Sequence, residues 1–501
     1  KGPALDRSLF LLRFILSIRY AKFIMIITHG RLDMSRIRII IAIAVAKLLI
    51  CLSRLLGNQG TDFPGRIARI IDPHILEKLA ANVKEEIYII TGTNGKTTTT
   101  NMIARILEEK GYSFVHNQAG ANMITGITTA FIKEADILGK KAFEYALLET
   151  DEAYVPLLLK EITPRVVLIT NFFRDQLDRF GELDKTISLI KDAVRDTEVE
   201  LVLNADDPLV VHFHNDTGLH CWYYGFDDTD YDVFEGEESR EGRFCVFCGA
   251  ELQYERFHYA QLGKFQCLNC GSHNPRRNFT GHDLHMSPEI RFAVNNLDIY
   301  SPYLGFYNAY NILAAVSVAK LVGIQDDIIQ RAIASYKPQA GRMEQFQIGD
   351  QKAIQILVKN PTGLNQALAA LINDPSSKAL FFALNDNTAD GRDVSWIWDA
   401  QVETLTSPNA GVSSITCSGL RSGDAALRFK YAGFDEELIR VEDELEAGIT
   451  ACLSTEAEIY YFLCTYTALF PIRKILSRLA RKARGKTMGN IFNEKLTARG
   501  E

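Results

Sequence analysis

Short apolar runs alternate with stretches of helical periodicity over most of the chain after residue 87. Runs that are apolar on both faces predict buried strands, and they occupy residues 87–91, 145–149, 166–170 and 201–204. Between and after them, the spacing of apolar positions predicts helices at 97–110, 308–321 and 326–336. This alternation of strand and helix indicates an α/β fold with a parallel-rich sheet.

A second α/β series follows a linker at residues 338–341. Its predicted strands are 353–358, 379–384, 413–417 and 457–462, and its predicted helices are 364–373, 425–429 and a basic helix within 469–484. A chain of 501 residues exceeds one ordinary domain of about 100–200 residues. We therefore expect an N-terminal extension over 1–44, a central domain over 45–337 and a smaller α/β C-terminal domain over 338–501.

The N-terminal region is apolar but carries regularly placed basic residues. Residues 8–27 and 39–52 are interrupted by Arg13, Arg19, Lys22 and Lys47. Neither stretch reaches the ~20 uninterrupted apolar residues that a spanning helix prefers. The first stretch is a candidate for a peripheral helix at a membrane surface, and Met34 is a candidate for the true start of the protein.

Composition excludes some classes of protein. The chain is 47% hydrophobic and 23% charged, which is ordinary for a soluble globular protein. A net charge of -7 disfavours a general nucleic-acid binder. Nine cysteines in so long a chain are too sparse for a disulfide framework and indicate a reducing cytoplasm.

The segment 91–98, T-G-T-N-G-K-T-T, lies between a predicted strand and a predicted helix. Backbone N–H groups and a helix N-terminus at such a junction bind phosphate. Lys96 would contact the terminal phosphates of ATP, and the Thr97 hydroxyl would help to hold Mg²⁺. The loop is a variant because Ile90 replaces the usual glycine, and the alternative is an ordinary turn. The candidate ATP-binding residues here are Gly92, Thr93, Asn94, Gly95, Lys96, Thr97 and Thr98.

This form of the loop resembles that of the Mur ligases and the related folylpolyglutamate synthases. Further segments resemble theirs in the same order: 170–178 (T-N-F-F-R-D-Q-L-D, with Gln176 where histidine is usual), 203–208 (L-N-A-D-D-P), 307–315 (Y-N-A-Y-N-I-L-A-A) and 341–344 (G-R-M-E). Together they cover roughly residues 82–344. The resemblance implies a Mur ligase-like ATP-binding domain in an enzyme that phosphorylates a carboxylate and displaces the phosphate with an amine.

The resemblance also implies roles for single residues. Glu149, at the end of a predicted strand, matches the glutamate that binds Mg²⁺ together with Thr97, and it joins Lys96 as a candidate catalytic residue. Asn308 and Asn311 match positions of a helix that contributes to nucleotide binding. Asp206 could contact metal or ribose, although a turn-forming role for N-A-D-D-P is equally consistent with the sequence.

Two cysteine pairs point to a metal. Cys245 and Cys248, then Cys267 and Cys270, are two C-x-x-C pairs with eighteen residues between them. This spacing is typical of a Cys₄ zinc ribbon, a closed structural site without an open catalytic position. We expect an inserted ribbon at about 240–277 that binds Zn²⁺; a redox pair is the alternative.

The zinc ribbon, K-N-P-x-G at 359–363 and D-N-x-x-A-D-G-R-D-x-S-W-x-W-D at 385–399 resemble the MurT family, the ligase subunits of lipid II isoglutaminyl synthase. This narrower resemblance runs from about residue 47 to about 470. It implies ATP-dependent amidation of the α-carboxylate of D-glutamate in the peptidoglycan stem of lipid II. Ammonia would come from a GatD-type glutaminase subunit. That activity belongs in the cytoplasm, at the inner face of the cell membrane.

In that family an aspartate of the C-terminal domain completes the partner's Cys–His pair. Asp390 and Asp393 are the candidates, with Asp393 preferred; loop carboxylates that cap turns or pair with Arg392 are the alternative. Trp396 and Trp398 alternate in a way that suits either a core stripe, which we expect, or an interface.

Two other functions remain open. The same fold could belong to a Mur or folylpolyglutamate-type ligase that adds an amino acid. The chain could also be a nucleotide-gated scaffold for a partner, although Lys96, Thr97 and Glu149 count against that hypothesis.

Overall fold

The computed structural model describes residues 34–56, 60–117, 121–173, 183–234, 241–286, 289–337, 340–407 and 410–497. The expectations for residues 1–33, for 174–178 of the T-N-F-F-R-D-Q-L-D motif and for 338–339 of the linker lie outside these ranges. In the ranges that are described, no helix is long and apolar enough to cross a membrane.

The first eleven strands belong to the central domain. Their bounds are β1 Val83–Thr91, β2 Phe114–His116, β3 Phe143–Glu149, β4 Val166–Ile169, β5 Glu200–Asn204, β6 Cys221–Phe226, β7 Gln253–Tyr259, β8 Leu262–Gln266, β9 Phe279–His285, β10 Ile290–Val294 and β11 Leu297–Ser301. All but β7 and β8 form one sheet in the order β11-β10-β9-β6-β5-β4-β1-β3-β2. The pairs from β2 to β9 are parallel, and β10 and β11 are antiparallel additions. The carboxyl ends of β1, β3, β4 and β5 therefore meet at one edge, where α/β proteins bind ligands.

Helices cover both faces of this sheet. Their bounds are α1 Met34–Leu55, α2 Phe63–Ile71, α3 Ile75–Ala80, α4 Lys96–Lys110, α5 Ile124–Glu134, α6 Val155–Leu159, α7 Leu183–Arg195, α8 Phe213–Thr217, α9 Phe306–Leu321 and α10 Asp326–Ser335. Alternate residues of β1 enter two different cores. Tyr88 and Ile90 pack with α4, α9 and α10, whereas Ile87 and Ile89 pack with α1, α2, α5 and α7. Burial on both faces explains why the parallel strands are continuous apolar runs.

Helix α1 crosses the predicted boundary between the extension and the central domain. Ala42, Ile43 and Ala46 are buried in the core that α2 and α5 share. Residues 34–44 thus belong to a helix that packs on the central domain.

The C-terminal domain has its own sheet. Its strands are β12 Arg342–Ile348, β13 Gln351–Leu357, β14 Lys378–Ala383, β15 Val412–Ser418, β16 Ile439–Val441 and β17 Ile459–Cys464, in the order β12-β13-β17-β14-β15-β16. All pairs except β12 with β13 are parallel. The helices are α11 Pro361–Ile372, α12 Ser422–Tyr431, α13 Leu445–Leu453 and α14 Tyr466–Thr497. Short 3₁₀ turns lie at Glu152–Tyr154, Ser395–Trp398, Val402–Thr406 and Glu436–Leu438.

Candidate functional site

The loop between β1 and α4 depends on two glycines. Gly92 has a φ of 116° and Gly95 a φ of 87°, conformations that other residues rarely adopt. A Cβ on Gly95 would lie 2.1 Å from Asn311 Oδ1, and one on Gly92 would lie 2.5 Å from Thr170 Oγ1. Helix α4 begins at Lys96, immediately after the turn, and the first N–H groups of a helix in this position are the donors that phosphate-binding loops use.

Residues 170–173, which we term the β4 loop, hold this turn from one side. Thr170 Oγ1 donates to Asn94 O at 2.7 Å, and Asn94 N donates to Asn171 Oδ1 at 2.9 Å. Thr93 N donates to Asn171 O at 2.9 Å, and the Thr93 hydroxyl lies 3.1 Å from Phe173 O. The T-N-F-F part of the motif therefore acts as a support for the phosphate loop.

Lys96 lies in a buried cluster of charges. Its ammonium donates to Gly92 O and to Glu152 Oε2, the latter at 3.1 Å. Burial opposes its positive charge, but Glu152, Asp151 and Glu149 outweigh that effect and raise the pKa of Lys96 above its ordinary value. Lys96 is thus held as a cation at the position where terminal phosphates would be expected.

Glu149 lies at the carboxyl end of β3 and is 3% exposed. It accepts a hydrogen bond from the Thr97 hydroxyl at 2.9 Å, while the Asn117 side chain bonds both its backbone N–H and its C=O, at 2.9 and 2.7 Å. Burial raises the pKa of Glu149 and of Glu152, although Lys96 opposes this in both. Carboxylate and hydroxyl oxygens are ligands that Mg²⁺ takes, so Glu149 and Thr97 fit Mg²⁺.

Asn311 of α9 contacts helix α4, and Asn308 contacts Asn311. Thr99 Oγ1 lies 3.4 Å from Asn311 Oδ1, and Asn311 Nδ2 donates to Asn308 Oδ1 at 3.2 Å. Asn308 in turn donates to Leu304 O at 2.8 Å. Helix α9 therefore packs its amides against the first turns of α4, near the site that the sequence predicts for the nucleotide.

Asp206 is fully buried and its carboxylate bonds to protein groups. It accepts from Arg277 Nη2, the Tyr310 hydroxyl and Phe226 N, at 2.7, 2.7 and 2.8 Å. Asp207, its neighbour, accepts from Leu209 N at 3.1 Å as in an Asx turn. These contacts favour the turn-forming alternative for N-A-D-D-P over a contact with ribose.

The C-terminal domain reaches the same loop. Asn360 Nδ2 donates to Asn94 Oδ1 at 3.1 Å. The charges of Arg342 and Lys359 act on Glu149 and lower its pKa, against the larger effect of burial. Sequence analysis did not single out Glu152, Asn117, Arg342 or Lys359. Glu152 follows Glu149 by three residues, Arg342 lies in G-R-M-E and Lys359 lies in K-N-P-x-G. Only the fold shows that these residues act on Lys96 or Glu149.

The four cysteines of the insertion lie together, as their spacing predicted. Their sulfur atoms lie within 4.8 Å of one another, with Cys245 and Cys270 3.6 Å apart and Cys248 and Cys267 3.5 Å apart. The two pairs have the same turn: Gly249 N donates to Cys245 O and Gly271 N to Cys267 O, at 2.8 and 2.9 Å. Two matching turns around four sulfur atoms fit a tetrahedral structural metal ion.

The two candidate aspartates of the C-terminal domain differ. Asp390 is 4% exposed and accepts from Thr467 N, Thr467 Oγ1 and Asn387 N, at 2.7, 2.5 and 3.2 Å. Asp393 is half-buried and accepts from Ser395 N at 2.8 Å. Asp390 therefore fastens its loop to the start of α14, and Asp393 is the more accessible carboxylate.

The expectation of a tryptophan core stripe is correct for one residue and wrong for the other. Trp396 packs into the core of the C-terminal domain. Trp398 is 46% exposed and contacts the ring of Tyr431, because the segment is a 3₁₀ turn rather than a strand. A period of three separates the two side chains onto different faces.

Comparisons with known proteins agree with this geometry. The Mur ligase middle domain matches residues 90–272, and the MurT ligase C-terminal domain matches residues 357–469. The lipid II isoglutaminyl synthase (glutamine-hydrolyzing) subunit MurT of Staphylococcus aureus (strain COL) is 37% identical over 439 residues, which cover 87% of this chain and 97% of the relative. The subunit MurT of Streptococcus pneumoniae (strain ATCC BAA-255 / R6) is 36% identical and covers 85% and 94%. The chain belongs to the MurT family.

Solved structures support the fold of this MurT-family chain. A pseudomurein peptide ligase type C from Methanothermus fervidus superimposes with a TM-score of 0.62 at 23% identity, over 79% of both chains. MurF from Acinetobacter baumannii gives 0.59 at 14% identity, over 83% of this chain and 80% of that one. The expected Mur ligase-like α/β fold is confirmed, and with the family it makes the chain an ATP-dependent ligase.

We predict that Lys96→Ala abolishes ATP turnover and also lowers the melting temperature, because Glu152 would remain buried without its cation. Lys96→Met combined with Glu152→Gln should restore the melting temperature but not turnover. Calorimetry and ADP release separate the two effects, with Lys160→Ala, at an exposed lysine, as control. ADP release at the wild-type rate by either Lys96 variant would contradict a role for this loop in phosphate binding.

We predict that Cys267→Ser reduces bound zinc and destabilises the central domain, because a three-thiolate site no longer closes around the ion. Elemental mass spectrometry and thermal unfolding are the measurements. Cys221→Ser, at a cysteine outside the cluster, is the matched control. The assignment of the four cysteines to zinc would be refuted if the wild-type protein contained no metal and had the same thermal stability as Cys267→Ser.

Proposed function

We propose that this protein amidates the α-carboxylate of D-glutamate in the stem peptide of lipid II, forming D-isoglutamine with ammonia from a glutaminase subunit. The observation that carries the proposal is the joining of a Mur-type phosphate loop to a C-terminal domain of the MurT type. The relatives with 36 and 37% identity over most of their length carry the name of that activity.

The reaction has two steps. A carboxylate oxygen attacks the γ-phosphorus of ATP, the bond to ADP breaks, and an acyl phosphate forms. The nitrogen lone pair of ammonia then attacks the acyl carbon, the bond to phosphate breaks, and the nitrogen loses a proton as the amide forms. Lys96 would neutralise charge on the transferred phosphoryl group, mainly by electrostatics and positioning.

Mg²⁺ held by Glu149 and Thr97 would supply a further positive charge to the phosphates. The protein contributes by holding the side chains of this site in place. Asn117 fixes the backbone of Glu149 on both sides, and Glu152 holds the Lys96 ammonium. Arg342 and Lys359, which come from the C-terminal domain and act electrostatically on Glu149, are candidates for holding the acidic substrate beside the phosphates.

The state of four of the five cysteines outside the cluster supports a separate glutaminase. Cys417, Cys452 and Cys464 are buried, and burial raises the pKa of each thiol to about 12. Burial likewise raises the pKa of Cys221 to about 11. Thiols of this kind stay protonated and are poor nucleophiles, so ammonia is expected to come from a GatD-type partner chain.

An exposed surface in the same domain as Asp393 supports a binding site for that partner. Trp398, Leu427 and Tyr431 are 46, 46 and 70% exposed, and exposed aromatic residues are enriched at protein interfaces. We propose that Asp393 orients a histidine of the partner, since an accepting carboxylate fixes the tautomer and direction of the ring.

We predict that Asp393→Asn, assayed in the complex, lowers glutamine-dependent amidation by about 10²-fold or more and leaves ammonium-dependent amidation unchanged. Asp390→Asn is the comparison, because its buried hydrogen bonds to Thr467 should make it reduce both activities together. Equal loss of both activities in Asp393→Asn would contradict the proposed role.

Helix α1 supports action at the inner face of the membrane. Leu48, Leu52 and Leu55 are 56, 46 and 77% exposed, and the helix contains basic but no acidic residues. Apolar side chains beside basic ones suit an anionic lipid surface. Leu48→Glu with Leu52→Glu should slow amidation of lipid II in phosphatidylglycerol vesicles but not in detergent; equal slowing in both would refute the membrane role.

The direct test supplies the purified chain with ATP, lipid II and ammonium, without a partner. We predict ADP release and a mass decrease of about 1 Da in the stem peptide, as hydroxyl becomes amide, and neither with glutamine alone. ADP release that depends on an added amino acid, with that amino acid joined to the peptide, would identify an amino-acid-adding ligase instead. ATP binding without substrate-dependent ADP release would identify the scaffold.

A further inference from the structure

The hairpin β7–β8 connects the cysteine cluster to the support of the phosphate loop. Its two-residue turn, Ala260 and Gln261, lies at one end, and Cys267 follows directly after the other end. Gln261 is fully buried although it lies at a turn, where a polar side chain would ordinarily face solvent. The hairpin therefore inserts its tip into the central domain.

The tip contacts the β4 loop. Gln261 Nε2 donates to Phe172 O at 2.5 Å and lies 3.5 Å from Asp207 Oδ1. Asp207 Oδ2 accepts from Phe172 N at 3.1 Å. Both backbone groups of Phe172 are thus held from outside the β4 loop, one by the hairpin tip and one by the turn after β5.

The β4 loop transmits this restraint to the phosphate loop. Residues 171 and 173, on either side of Phe172, bond to Thr93 and Asn94. The ring of Tyr259, at the end of β7, lies 6.2 Å from that of Phe173 and 5.5 Å from that of Tyr310 on α9. The hairpin tip therefore contacts two of the elements that surround the loop.

The cysteine cluster fixes the opposite end of the hairpin. Phe265 of β8 packs with Cys245, Cys267 and Leu252 in a small separate core. Asn274, which follows the second cysteine pair, donates to Gly263 O at 2.8 Å and to Ala205 O at 3.0 Å. The hairpin is consequently held at both ends, and its tip has little freedom to withdraw from the β4 loop.

We propose that Gln261 is a positioning residue for ATP and that the cysteine-bound hairpin sets the nucleotide affinity of the loop about Lys96. The side chain touches no substrate; it acts through Phe172 on the backbone of Thr93 and Asn94. The inference rests on the proposed assignment of this loop to ATP.

The test compares Gln261→Met with wild type, because methionine keeps the volume of glutamine and removes the donor to Phe172 O. Loss of one buried hydrogen bond that orders the β4 loop should raise the Kd and KM for ATP about 3- to 10-fold. The kcat at saturating ATP and the KM for ammonium should stay at wild-type values. Gln266→Met, an exposed glutamine of the same hairpin, is the matched control.

Failure of the positioning role and failure of the nucleotide assignment give different results in this test. An unchanged Kd for ATP in Gln261→Met, alongside wild-type protein that binds ATP, would overturn the positioning role and leave the proposed function intact. A lower kcat with unchanged KM for ATP would show a purely structural role and also overturn it. Wild-type protein that binds no ATP would overturn the nucleotide assignment and this inference together.

Discussion

The site depends on a cluster of buried charges that only the folded chain brings together. Lys96 lies among Glu149, Asp151 and Glu152, and Arg342 and Lys359 act on Glu149 from the C-terminal domain. Burying charge without a partner is costly, and such an arrangement persists because the surrounding fold holds each member in place. The carboxylate of Glu149 and the hydroxyl of Thr97 suit a divalent cation, and the cation in turn suits the phosphates of ATP. The charges that interact within the folded site are therefore the same charges that would bind the cation and the phosphates.

This cluster lies where the two domains meet. The phosphate loop receives its β4-loop support from the central domain, but Asn360, Arg342 and Lys359 come from the C-terminal domain. A carboxylate substrate held between the domains would therefore lie close to both the phosphates and the basic groups. The surface around Asp393 and Trp398, where we propose that the glutaminase partner binds, belongs to the same C-terminal domain. Ammonia made by the partner would therefore have to travel from that surface toward this junction.

The strands that were predicted from sequence are those buried on both faces. For example, residues 87–91 of β1 and 201–204 of β5 are buried runs, and the predicted bounds of both strands agree with the structure at their carboxyl ends. The strands that were not predicted, such as β9 and β11, alternate buried and polar residues at the edge region of the sheet, and short amphipathic runs of this kind are easily mistaken for loops. The predicted boundary between residues 44 and 45 falls inside helix α1. The apolar sequence continues across this boundary and does not mark where the domain begins.

Local motifs singled out the candidate residues one segment at a time. The spacing of the cysteines predicted their cluster, and Lys96, Thr97 and Glu149 come from separate motifs that the fold brings together. Glu152 and Lys359 were not predicted, because only the strand order brings them to Lys96 and Glu149. Asp206 shows the converse: a motif position suggested a ligand contact, but Arg277 and Tyr310, both distant in sequence, occupy its carboxylate.

In the proposed mechanism, this loop activates a substrate carboxylate through an acyl phosphate. That step can be followed by labelling the α-carboxylate of D-glutamate in the stem peptide with ¹⁸O and tracing the label by mass spectrometry during ammonium-dependent turnover. We expect one ¹⁸O atom to move from each amidated carboxylate to inorganic phosphate, because the acyl carbon–oxygen bond breaks when ammonia attacks. Amide formation without ¹⁸O in the phosphate would contradict it.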